Sequence, residues 1–197
     1  MNKLLGFYEL KSSELPTILW KEYKPGTTVL DDFCLWTVRS AVYRGDDYSL
    51  PRRVGVNAKE AKEFADSLYG RINSNGIVIY YPYFVAEKSG TLCIGNDKII
   101  IEAVKQDLWN LVTFSDCDVT IQITGDIERV RGDAEFLTLQ DKCQILSYVK
   151  YVKKMFREDL LEGKNVLLEW SFAYNCDLDK NIIGKRYLVF YEARTIE

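Results

Sequence analysis

Two segments near the C-terminus constrain this chain most. NVLLEWSFA (165–173) and RYLVFYEA (186–193) are β-branched, aromatic or otherwise apolar almost throughout, the composition of strands. The polar stretch from Asn175 to Lys185 joins them, so they read as an antiparallel pair with a long hairpin loop. Glu169 interrupts the first run, and Glu192 and Arg194 stand two residues apart, on one face, at the end of the second. A carboxylate in so apolar a strand is costly unless a cation compensates it. If the strands pair, both acids converge on one side of the sheet, and an oxygen-seeking Mg²⁺ ion would relieve their repulsion. The alternative is structural: Glu169 paired with Arg194 or Arg39, or Glu192 simply solvated.

Upstream, the same reading gives the order loop–β–α–βββ–β–α–ββ. CLWTV (34–38) is a short strand ending at Arg39-Ser40, and the polar stretch from Tyr43 to Arg53 is a loop. Asn57 caps a helix over AKEAKEFADSLYGRI (58–72), with Glu60 placed for a capping box. IVIYYPYF (77–84) is a strand demoted to an edge or bulge near Pro82. Strands follow at Ser89 to Ile94, Lys98 to Val104 (KIIIEAV) and Asp118 to Thr124, with turns at Gly95-Asn96-Asp97 and Gly125-Asp126. Leu137 to Leu160 keeps a helical period, with Thr138 and Asp141 at its start. The expected fold class is α+β, helices on a largely antiparallel sheet in one compact, two-lobed domain.

Composition removes whole classes of chemistry. The 197 residues include no histidine, which excludes Ser-His-Asp and Cys-His nucleophiles, His-ligated metals and phosphohistidine transfer. A net charge of −3 disfavours nucleic acid as a partner. The five cysteines form no C-x-x-C pair and sit among apolar residues, as small buried hydrophobes do. No run of 18 apolar residues appears, so no membrane span is expected and a reducing cytoplasm is the default. Glu102 in KIIIEAV is a second acid in an apolar strand; Arg39, before a polar loop, suits a phosphate or a carboxylate; Lys88 reads as a surface lysine.

Four segments, in order, resemble the ATP-grasp nucleotide-binding domain of phosphoenolpyruvate synthase and pyruvate phosphate dikinase. LWTVRSA (35–41) is similar to the family's VRSSA strand, and IVIYYPYFVAEKSGTL (77–92) to the hinge segment along the adenine. KIIIEAV resembles the family's RIVIEAV, and LLEWSFAYNCD with YLVFYEARTIE resembles the closing hairpin that carries metal ligands. The match spans residues 33 to 197, leaving 1–32 as a divergent N-terminal segment. The resemblance implies nucleotide contacts at Arg39, Tyr83, Glu102 and Arg194, and Mg²⁺ ligands at Glu169 and Glu192. ATP and Mg²⁺ are the cofactors it implies, and phosphoryl transfer the chemistry if the protein is an enzyme. Departures are specific: Leu167 replaces an acid, KQDLWN (105–110) replaces GLGE, Tyr81 and Pro82 occupy the hinge, and the GGK segment and phosphohistidine domain are missing. They keep open a catalytically inactive descendant that binds a protein or senses a small ligand, and a structural subunit that pairs through strand 77–84 with a partner or a second copy.

Overall fold

The computed structural model describes residues 2–44, 50–108 and 117–197. Two antiparallel sheets organise the chain. The smaller is built from β1 (Lys21–Glu22), β2 (Trp36–Val42), β3 (Arg52–Val56) and β4 (Gly76–Pro82), in the order β1-β4-β2-β3. The larger contains β5 (Val85–Ile94), β6 (Lys98–Lys105), β7 (Val119–Thr124), β8 (Ile127–Gly132), β9 (Asn165–Cys176) and β10 (Ile182–Ile196). Its order is β10-β9-β5-β6-β7-β8, with every pairing antiparallel. Five α-helices join them among the described residues: α1 (Lys3–Lys11), α2 (Ala58–Ile72), α3 (Leu139–Leu146), α4 (Val149–Met155) and α5 (Arg157–Leu161). The protein is thus α+β. Among the described residues no helix is long and apolar enough to cross a membrane.

Side-chain alternation divides the interior into three layers. On one face of the large sheet, Ile101, Ile121, Leu168 and Trp170 meet Ile145, Val152, Phe156 and Leu160 of α3–α5. On the far side of the small sheet, Trp36, Val38, Val78 and Tyr80 meet Ala61, Ala65 and Leu68 of α2. Between the sheets, Ile77, Ile79 and Tyr81 pack with Ala173, Val189, and Leu4 and Phe7 of α1. This middle layer holds the sheets face to face. Residues 1–32 enter all three layers, through Leu10 and Leu15, through Leu4, Phe7, Ile18 and Trp20, and through Tyr23.

Several elements differ from the sequence reading for identifiable reasons. The helical stretch 137–160 is three short helices, because backbone at Phe156 leaves the α region (φ −106°, ψ 30°) and Ser147 closes the first segment. Each break keeps the apolar side chains on the sheet. The long loop 175–185 shrinks to residues 177–181, where the Asp177 carboxylate accepts from the amides of Asp179 and Asn181. Strand 77–84 is no edge: β2 pairs with it along its whole length and β1 covers part of its other side. Pro82 is tolerated as its last residue. That leaves little of this strand for an external partner. The loop expected over 43–53 contributes part of β3, and its residues 45–49 lie outside the described residues, as do 109–110 of KQDLWN.

The cysteines are all free, but only Cys176 is buried; Cys143, on α3, is exposed and the others are half-buried. Both capping boxes form. Glu60 N–H donates to Asn57 Oδ1 at 2.9 Å, and Asp141 N–H to Thr138 Oγ1 at 3.1 Å. Lys88 is not a surface lysine: its ammonium donates to Asp141 at 2.9 Å and to the Phe136 carbonyl at 2.7 Å.

Candidate functional site

The site lies on the large-sheet face that turns toward the small sheet. A β-bulge at Tyr191 shifts the β9–β10 register, so that Glu192 stands directly opposite Glu169. Direct cross-strand partners share a face, with Cβ atoms roughly 5 Å apart. The row continues from Glu169 to Thr91, Glu102, Thr120 and Arg131. A polar line therefore crosses all six strands. Glu102, two strand spacings from Glu169 (roughly 10 Å), is bonded by Thr91 Oγ1 at 3.1 Å.

Arg39 reaches this face from the other sheet. On β2 it alternates with Val38, so that Val38 faces α2 while the Arg39 guanidinium faces β10. It lies 3.3 Å from Glu192 Oε2 and stacks over the Phe7 ring at 5.1 Å. Burial works against its charge, yet Tyr81, Glu192 and Glu169 outweigh burial and hold its pKa above the usual arginine value. Lys3, in the first turn of α1, brings its ammonium to 3.1 Å from Glu192 Oε1. Glu192, 2% exposed, therefore has a cation at each oxygen. It is not solvated, and its arginine partner comes from the facing sheet.

Glu169 has no such partners. No hydrogen bond or ion pair from the described residues reaches its carboxylate, although Lys3, Arg39 and Arg194 are near enough to act on it. Burial first, then the Glu192 charge, push its pKa from 4.5 to about 7 against the pull of those three cations. Tyr191 beside it is partly buried between the sheets; its desolvation drives the phenol well above its ordinary value, and it bonds Ser171. Ser171 in turn shares a 2.7 Å hydrogen bond with Ser89.

The structure thus brings together Arg39, Glu169, Glu192 and Arg194, with Glu102 further along the row. Tyr83 stands elsewhere, at the passage from β4 to β5, its amide bonded to the Leu35 carbonyl at 2.8 Å and its ring beneath the Lys180 ammonium. Leu35 is four residues from Arg39, roughly 13 Å along an extended strand. A shallow depression of about 200 Å³ at Gln122, Thr124, Ile127 and Arg129 occupies the open end of the large sheet. Lys3, Tyr81 and Tyr191 were not among the residues expected at the site. Lys3 had a faint signal, since Asn2 can cap a helix whose buried positions 4, 7 and 10 recur at helical spacing.

No family model matches the chain, and no curated protein matches it. Among solved structures it is similar to an L-amino acid ligase from Bacillus licheniformis, at 15% identity and a TM-score of 0.47, covering 98% of this chain and 39% of that one. It is also similar to the macrocyclase MdnC bound with precursor peptide MdnA from Microcystis aeruginosa MRC, at 9% identity and a TM-score of 0.40. That likeness covers 97% of this chain and 50% of the macrocyclase.

Proposed function

We propose that the chain is an ATP-grasp-like unit that binds ATP or ADP with Mg²⁺ between its two sheets. The observation that carries this reading is the meeting of Glu169 and Glu192, in register on the large sheet, with Arg39 delivered from the small one. Charge from both sheets is focused where a polyphosphate would lie, and the resemblance in segments 35–41, 77–92, 98–104 and 165–197 supports the same reading. Arg39 and Arg194 would hold phosphate oxygens, with Glu102 in the same polar row and Tyr83 at the passage between sheets facing the nucleoside.

Glu169 fits Mg²⁺: it is a carboxylate without a hydrogen bond among the described residues, in a place that penalises its charge. Glu192 does not fit while Lys3 and Arg39 hold its oxygens. No group of three or more metal-ligating side chains occurs among the described residues, which suits an ion held by one or two carboxylates and by nucleotide phosphates. When bound, that ion supplies charge neutralisation for phosphoryl transfer. Five free thiols suit the reducing cytoplasm in which we place the protein.

Thermal unfolding tests this. Saturation at a hundred times Kd adds about 2.7 kcal/mol, which raises Tm by roughly 5–10 °C at this size. We expect such a rise with ATP or ADP, dependent on Mg²⁺ in the wild type and independent of it in Glu169→Gln. No shift at millimolar nucleotide sinks the proposal. A second reading, an inactive descendant that binds a protein or a small ligand, is favoured by one observation: Glu192 is already ion-paired to Lys3 and Arg39 of the same chain. Phosphate release from ATP no faster than that of Glu169→Gln selects a binder over an enzyme.

A further inference from the structure

Lys3 is oddly placed for a surface lysine. It occupies the first turn of α1, where the helix dipole disfavours a cation. A cation there must be held by something stronger, and Glu192 is 3.1 Å away. The rest of the turn is anchored as firmly. Asn2 caps the helix through its carbonyl oxygen and donates its amide to the carbonyls of Val42 and Tyr43, at 3.1 and 2.9 Å, at the end of β2. Gly6 lies so close to β10 that an added Cβ would collide with the Ala193 carbonyl oxygen. One helical turn thus touches both sheets beside the carboxylate pair.

We propose that Lys3 is a tethered counter-ion, its ammonium occupying on Glu192 the position a divalent cation would take, with α1 as the clasp that carries it there. The proposal rests on the carboxylate pair being the cation-binding end of the site, and not on the nucleotide. A tethered ammonium neutralises Glu192 at all times and at no cost in recruited metal. It also excludes a second divalent ion, so Glu169 alone keeps capacity for one. Lys3 is a positioning residue: it acts through Glu192.

Mn²⁺ binding without nucleotide, followed by electron paramagnetic resonance, tests the exchange. A charge within about 4–6 Å shifts an ionic equilibrium by roughly one to three powers of ten. Lys3→Met should therefore bind Mn²⁺ at least ~10-fold more tightly than wild type, and Lys3→Arg should match wild type. Equal affinity in Lys3→Met and wild type, or no Mn²⁺ binding by either, overturns the proposal and leaves the nucleotide thermal shift untouched. Amine acetylation needs no Lys3 variant. In the native protein Lys3 should react several-fold more slowly than exposed Lys59, and Glu192→Gln should release it. Equal rates for Lys3 and Lys59 in the native protein overturn the proposal as well.

Discussion

Glu169 and Glu192 are cross-strand neighbours, and the difference between them lies in what each can reach. Glu192 is ion-paired to Lys3 and Arg39, whereas Glu169 is in contact with neither, and burial and the Glu192 charge hold its proton in the fold to about pH 7 instead of 4.5. Between those values the unfolded chain has lost the proton and the folded one keeps it. The stability contributed by this group is therefore full below pH 4.5 and is lost as pH rises through 7. Urea unfolding should show Glu169→Gln overtaking wild type with rising pH, by about 2–3 kcal/mol at pH 8 relative to pH 4. A difference constant across that window would contradict the burial of an ionisable Glu169. Glu169 stands out in the sequence because charge in an apolar strand is anomalous, whereas Arg39 is marked by its place before a polar loop and Glu192 and Arg194 by their spacing on one face. Lys3 was not legible, since a lysine near a chain start resembles any solvated lysine, and only the tertiary placement of α1 reveals its partner.

At the scale of elements, strands with one buried face were legible and those without were not. β7 alternates and was found; β8 is exposed at every position and gave no pattern. The caps of α2 and α3 were legible as local chemistry, but the load on the second was not. Asp141, 2% exposed, caps α3, accepts from Lys88, and accepts from Arg186 at 2.7 Å. Arg186 also pairs with Glu87 and stacks on Phe172 at 3.9 Å. Burial would raise the Asp141 pKa, yet Arg186 and Lys88 prevail and hold it below the usual carboxylate range. Asp141→Asn should cost about 2–4 kcal/mol in urea unfolding, since it strands two half-buried cations and weakens a cap. Lys142→Ala, which removes an exposed pair with Glu128, should cost less than about 1 kcal/mol. Gly6→Ala should cost about 1–3 kcal/mol or more, because the Ala193 backbone it would strike cannot rotate aside.

At the scale of the molecule, α+β class and antiparallel pairing followed from local pattern, whereas the division into two facing sheets depended on contacts no local pattern contains. The N-terminal segment illustrates this. Residues 1–32 resemble nothing recognised in the sequence, yet they contribute Leu4, Phe7, Leu10, Leu15, Ile18, Trp20 and Tyr23 to the buried layers. A chain starting at residue 33 should therefore lose cooperative unfolding and near-ultraviolet circular dichroism. A sharp transition in that fragment would show that the segment only decorates the surface.

The bulge at Tyr191 has a further consequence. It works as a phase shifter in an alternating code: Phe190 and Ala193, three residues apart, both face the helices, while Glu192 and Arg194 both face the small sheet. Were Tyr191 instead held in regular register, with no bulge, the tail of β10 would turn over, sending Glu192 and Arg194 into the apolar core and Ala193 into the cleft. Removing the Tyr191 codon, by contrast, would leave Phe190, Glu192, Ala193 and Arg194 in plain alternation with Glu192 still opposite Glu169, so the carboxylate pair tolerates the loss of the bulged residue but not the loss of the bulge around it.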